Sequence, residues 1–206
     1  MRVRYRYDYG YRFGPVLTLI TVNLLLFIVT SLLPSLRVSF SLLPVAVLSR
    51  PWTVLTSMFI HGGFWHIFAN MLTLYFFGST LLRIVGQGRF LAVYFCGGII
   101  ASIFYIVITF LGAISGIGLL GSPYTAVVGA SGAIFAVAGG LVMLRPRLPV
   151  MIFPIPLPIP LFVAVIGGFL ILSFMPSVAW QAHLGGLIVG LIAGYIFRRR
   201  GRYFFY

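Results

Sequence analysis

From Gly14 to Leu33 the chain runs for twenty residues without a charged side chain. Wound as a helix at ~1.5 Å per residue, that run reaches roughly 30 Å, the thickness of the hydrocarbon core of a bilayer. Backbone in hydrocarbon must satisfy its own N–H and C=O groups, so a run of this kind resolves into a helix. Charge-poor runs recur at about 14–33, 65–83, 90–111, 129–144, 158–175 and 179–197, each bounded by Arg, Pro or Gly. The sequence therefore predicts an all-α, polytopic membrane protein with six transmembrane helices. A soluble domain of 206 residues that is 61% hydrophobic and 7% charged lacks the polar groups to cover its surface. The first run is longer than the core of a signal peptide and no A-x-A-like cleavage site follows it, so it reads as a retained helix.

All fourteen cationic side chains are Arg, and Asp8 is the only carboxylate. The arginines sit at the ends of apolar runs and form no stripe. This excludes a nucleic-acid partner and fits topology signals and contacts with the lipid bilayer. Six crossings place the arginines of the N-terminus, of the second-to-third and fourth-to-fifth connections and of the C-terminus on one side, leaving Arg37 and Arg50 opposite. The excess predicts cytoplasmic N- and C-termini in a multi-pass protein of the cell membrane. The expected organisation is a basic cytoplasmic segment over 1–13, a membrane domain over 14–198 and a basic cytoplasmic tail over 199–206. The lone Cys96 can form no internal disulfide.

Two connections stand out. The segment 34–63 is apolar but broken by Pro44 and Pro51, which suits an element lying in the outer interface with Trp52 as an anchor. Pro149, Pro154, Pro156, Pro158 and Pro160 predict a stiff, extended, polyproline-like connector before the fifth span.

The informative residues are the few hydrogen-bonding groups inside the spans, because each is costly in hydrocarbon unless satisfied or facing water. These are His66, Asn70, Ser131 and His183, with His61 expected in a loop mouth. His66 and Asn70, four apart, share a helix face. Counting ~1.5 Å per residue back from Arg145, Arg198 and Arg83 puts Ser131, His183 and Asn70 roughly 20–22 Å above the inner boundary. His66 lies one turn nearer the outside. Span four carries Gly132, Ala136 and Gly140, and span six Gly186, Gly190 and Gly194, two ridges of small residues that permit close helix approach. Ser131 and His183 begin those ridges, so packing along them brings a hydroxyl within reach of an imidazole able to take its proton.

Taken alone, a serine in Gly-Ala-Ser-Gly is more often a helix-packing residue and a membrane histidine an interhelical hydrogen-bonder. Their shared depth favours the chemical reading. The histidines lie at spacings that match no zinc signature, and no acid or second cysteine lies at depth, so neither a metal nor another cofactor is expected. The single acid, Asp8, is assigned to the cytoplasmic side, which leaves a Ser-His dyad in place of a triad.

Three motifs make the chain resemble the rhomboid family from span one to span six: His61-Gly-Gly-Phe-Trp-His66-Ile-Phe-Ala-Asn70, Gly129-Ala130-Ser131-Gly132, and Ala182-His183-Leu184-Gly185-Gly186. Pro51-Trp52 and the pair Gly78 and Gly86 are also similar to the family. The resemblance implies a six-helix rhomboid-like bundle in which Ser131 and His183 are the catalytic dyad. It further implies that His66, Asn70 and the backbone N–H of Ser131 stabilise the oxyanion. Thr53 stands where many relatives have Arg, and Leu82 where they have an acid. Phe135, one turn after Ser131, holds a position where an aromatic ring often supports the histidine.

The expected function is an intramembrane serine endopeptidase that cuts single-span transmembrane protein substrates, its site opening to the non-cytoplasmic side through His61, Gly62 and Gln181. The alternatives are a catalytically inert rhomboid-like protein that binds membrane helices or serves quality control, and a transporter or proton channel. The sequence leaves the oligomeric state open.

Overall fold

The computed structural model describes residues 14–151, 157–175 and 178–200. The described chain is mostly helical. α1 (Gly14–Leu32) ends just ahead of Pro34, where the proline ring disfavours helical backbone before it. A chain of short turns follows: α2 (Pro34–Phe40), a 3₁₀ turn at Pro44–Ala46, α3 (Thr53–Thr56) and a second 3₁₀ turn at Ser57–Phe59. α4 (Phe64–Thr73) continues through a π-helical turn at Leu74–Gly78 into α5 (Ser79–Val85). Next come α6 (Gln87–Ser115), α7 (Ser131–Leu144), α8 (Leu161–Ser173) and α9 (Trp180–Arg200).

Among the described residues four helices are long and apolar enough to cross a membrane, at Gly14–Leu32, Phe64–Val85, Gln87–Ser115 and Trp180–Arg199. This is a membrane protein. α7 and α8 occupy the predicted fourth and fifth spans but hold only 14 and 13 residues. Each is ~20 Å long, shorter than a hydrocarbon core of roughly 30 Å. For α7 the cause lies at its start: Gly129, at φ 125, holds a backbone conformation that side chains disfavour, so the helix begins at Ser131 and not at 129.

α7 is the axis of the fold. Ala136, Val137 and Leu141 are fully buried on different sides of it, as in a helix enclosed by neighbours. α9 packs along α7 through the predicted ridges. A methyl group added to Gly186 or Gly190 would strike the carbonyl of Gly132 or Ala136, and one on Gly194 would lie 2.8 Å from the Gly140 carbonyl oxygen. On α6, Gly97 makes room for the Ala136 methyl group, and Gly98 for the Met58 side chain and the Ala133 methyl group. Backbones this close gain dispersion along the whole contact, the main attraction between helices in lipid. Val16 of α1 and Phe90 of α6 both lie against Gly78, so the start of α1 is at the same end of the bundle as the start of α6.

The segment 34–63 holds no helix long enough to cross a membrane. Leu48 is 95% exposed and Val38 and Trp52 are also exposed, as expected of an element lying in an interface, and the Trp52 indole N–H donates to the Ser39 carbonyl at 3.2 Å. Thr53 is buried and its hydroxyl donates to the Arg50 carbonyl at 2.7 Å, which closes this turn locally. Leu82 is buried in the apolar core.

The proline-rich connector differs from expectation. Its ends form a minimal antiparallel ladder, β1 (Pro149–Val150) with β2 (Ile159–Pro160), Pro149 opposite Pro160. Proline at strand ends leaves the ladder its remaining donors. Pro154 and Pro156 lie outside the described residues, as do Asp8, the predicted segment 1–13 and all but the first two residues of the predicted tail 199–206, which continue α9.

Candidate active site

Ser131 is the first residue of α7 and His183 lies in the first turn of α9. The two helices run side by side, and the imidazole Nε2 of His183 lies 2.8 Å from the Ser131 hydroxyl oxygen. That is the separation of a hydrogen bond through which a proton can move. His183 is buried and Ser131 partly so. The ring of Phe135, one turn along α7, lies over the imidazole with centroids 4.6 Å apart and planes 28° apart. The other imidazole nitrogen, Nδ1, is buried with no hydrogen-bond partner among the described residues. No carboxylate orients this histidine there, since the sole acidic side chain of the sequence is Asp8.

α4 supplies the facing wall. His66 approaches Gly129, where an added methyl group would stand 2.7 Å from His66 Nε2 and 3.6 Å from Ser131 Oγ. The Gly62 N–H points to His66 Nδ1 at 3.4 Å, an arrangement that puts the ring proton on Nε2, toward Gly129 and Ser131. Asn70, one turn below, donates one amide N–H to the His66 carbonyl at 2.8 Å, and its amide carries a second. The N–H of Ser131 is among the first-turn donors of α7, which have no acceptor within the helix. The structure thus brings His66, Gly129, Ser131 and His183 together, with Asn70 on the His66 face.

The loop that presents Ser131 is held by backbone bonds that no motif announces. Leu42 and Val127 exchange two bonds, at 3.0 and 2.8 Å, and the Gly129 N–H donates to the Ser57 carbonyl at 2.9 Å. Tyr105 of α6 donates its hydroxyl to the Thr125 carbonyl at 3.0 Å. Gln181 is buried and donates to the Leu120 carbonyl at 3.0 Å, so it braces the loop and does not line an opening. His61 likewise departs from the loop mouth expected of it. It is 1% exposed, set edge-on to His66 with ring centroids 5.1 Å apart, and both ring nitrogens lack partners among the described residues. Burial, then the neighbouring His66, pull its pKa down to about 3. Gly62 alone of the three is exposed. Among the described residues no group of three His, Cys, Asp or Glu side chains is placed to hold a metal.

The rhomboid domain family matches residues 48–200, a range that contains His61, His66, Asn70, Ser131, Phe135 and His183. The chain is 31% identical over 157 residues to the mitochondrial Rhomboid protein 1 of Saccharomyces cerevisiae, an alignment covering 69% of this chain and 41% of that protein. It is 34% identical over 165 residues to the mitochondrial RHOMBOID-like protein 12 of Arabidopsis thaliana, covering 76% of this chain and 49% of that one. It is 32% identical over 153 residues to the Rhomboid protease GluP of Bacillus subtilis, covering 69% and 25% respectively. The chain therefore spans half or less of the length of these relatives. With the three motifs gathered around one hydroxyl–imidazole pair and the family match running through most of the chain, this protein belongs to the rhomboid family.

Proposed function

We propose that this protein is an intramembrane serine endopeptidase. The observation that carries the reading is the 2.8 Å contact between Ser131 Oγ and His183 Nε2 within a membrane protein of the rhomboid family. His183 takes the hydroxyl proton as Ser131 Oγ attacks a peptide carbonyl, and the carbonyl electrons move onto its oxygen. His66, Asn70 and the Ser131 N–H hold that oxyanion. Collapse breaks the C–N bond, His183 returns its proton to the departing amine, and water then hydrolyses the acyl ester with His183 again as base.

The chain crosses the membrane six times over 14–198, α7 and α8 included, with both termini cytoplasmic and the short segments 1–13 and 199–206 outside the bilayer. The distribution of the arginines supports this orientation. The low start of the short α7 supports a site below the outer surface of the cell membrane, opening to the non-cytoplasmic side. Substrates are single-span membrane proteins that present an unwound stretch there, because an intact helix keeps its carbonyls bonded and inaccessible.

Cleavage of a transmembrane reporter in liposomes by wild type and by Ser131→Ala tests the assignment. Wild type cleaves and the variant does not. Equal cleavage by both, or none by either together with no labelling of Ser131 by a fluorophosphonate, rules it out.

A further inference from the structure

The buried residues of α8, Leu161, Ala164 and Val165, all lie near its start, and none from Ile166 to Ser173 is buried. Methyl groups added at Gly167 and Gly168 would meet nothing within 4 Å, whereas on α9 those added at Gly186, Gly190 and Gly194 run into the backbone of α7. The second half of α8 is thus not seated by close backbone approach at its glycines, and its packing falls to side chains.

Phe169, half-buried in that second half, meets Phe135 of α7. The two rings stand edge to face, with centroids 6.0 Å apart and planes 83° apart. Phe135 in turn stacks on His183 of α9, centroids 4.6 Å apart. Three helices therefore meet in one file of rings, Phe169, Phe135 and His183, which ends 2.8 Å from the Ser131 hydroxyl. A phenylalanine ring turns about two side-chain torsions, so a ring that steadies an imidazole must itself be held. Phe135 is only half-buried, and Phe169 gives it an edge-to-face partner, an arrangement that aromatic quadrupoles favour.

We infer that Phe169 is a positioning residue for His183, acting through Phe135, so that the seating of α8 against α7 sets how firmly the imidazole faces Ser131. The consequence for turnover rests on the protease reading above. The effect on the imidazole does not.

The full chain holds three histidines, so a histidine-labelled sample in detergent gives a magnetic resonance spectrum that can be read ring by ring. The Phe135 ring current shifts the C–H protons of the stacked His183 imidazole, and His183→Gln identifies those resonances by removing them. Phe135→Ala moves them, Phe169→Ala moves them in the same direction by less, and Phe169→Tyr, which keeps the ring, returns them toward wild type. Phe174→Ala removes an exposed ring just after α8 and leaves them in place.

In reporter cleavage Phe169→Ala lowers kcat roughly two- to fivefold, with KM within about twofold of wild type. In the Phe135→Ala background the same change adds less than about a 1.5-fold loss, because the ring through which it acts is gone. Unmoved His183 resonances in Phe169→Ala, equal movement in Phe174→Ala, an effect on KM alone, or losses that multiply in the double variant each overturn the inference. Where Phe169→Ala does not fold, Phe169→Leu, which keeps apolar bulk without a ring, is held to the same outcomes. Absence of cleavage by wild type retires the protease reading and leaves the resonances of His183 to decide the role of Phe169.

Discussion

The ring of Phe135 lies against the imidazole of His183, centroids 4.6 Å apart and 28° from parallel, one helical turn from the hydroxyl that the same imidazole meets. No carboxylate is at hand among the described residues to fix this histidine. Its orientation rests on that ring and on the backbone of α9.

Phe135→Ala accordingly lowers turnover roughly two- to tenfold, the equivalent of the ~0.5–1.5 kcal/mol of a stacked aromatic pair. Phe135→Tyr, which keeps the ring, stays within twofold of wild type. Reporter cleavage under saturating substrate measures both, and an unchanged Phe135→Ala denies the ring a role in holding His183.

Gly186→Val separates α9 from α7. The added atoms meet the Gly132 carbonyl, a backbone atom that cannot rotate away. Overpacking of this kind costs about 1–3 kcal/mol, and because the same contact sets the distance from Ser131 to His183, activity is lost with it. Gly167→Ala in α8 is the control: nothing lies within 4 Å of its added methyl group, and stability changes by less than ~1 kcal/mol. Thermal unfolding in detergent compares the two.

Asn70→Ala reduces cleavage by up to ~10²-fold, less than Ser131→Ala, because His66 and the Ser131 N–H continue to hold the oxyanion. The loss falls on kcat more than on KM, since the donor acts on charge that develops in the transition state. Full activity in Asn70→Ala removes this side chain from the oxyanion site.

His61 makes the fold sensitive to acid. Its folded pKa, about 3, lies below the 6.5 of an unfolded histidine, so the unfolded chain takes up a proton that the folded chain refuses. Stability is complete above pH 6.5 and declines as pH falls toward 3. Between pH 6.5 and 4.5 the loss attributable to this residue is roughly 1–3 kcal/mol. His61→Gln shows a shallower decline than wild type when melting temperatures at the two pH values are compared. Identical slopes exclude the mechanism.

The sequence by itself determined which runs are apolar enough for a membrane, because backbone in hydrocarbon has one local solution, the helix, and charge marks its ends. It also placed Ser131, His183 and the His66–Asn70 pair on their elements, since helical rise is uniform and can be counted. The small-residue ridges of spans four and six were legible for a related reason: a missing side chain is a property of the residue and needs no partner to be read.

Tertiary structure alone decided the rest. A helix can turn about its axis without altering its sequence, so the 2.8 Å between Ser131 and His183 exists only once α7 and α9 are seated together. His61 looked like a residue of an open loop mouth and is buried, its ring set edge-on to that of His66 across a glycine pair. The Leu42–Val127 bridge and the Pro149–Pro160 ladder depend on backbone groups, which nearly every residue carries alike. Side-chain identity records where such groups are and not whom they meet, and that choice waits for the chain to close on itself.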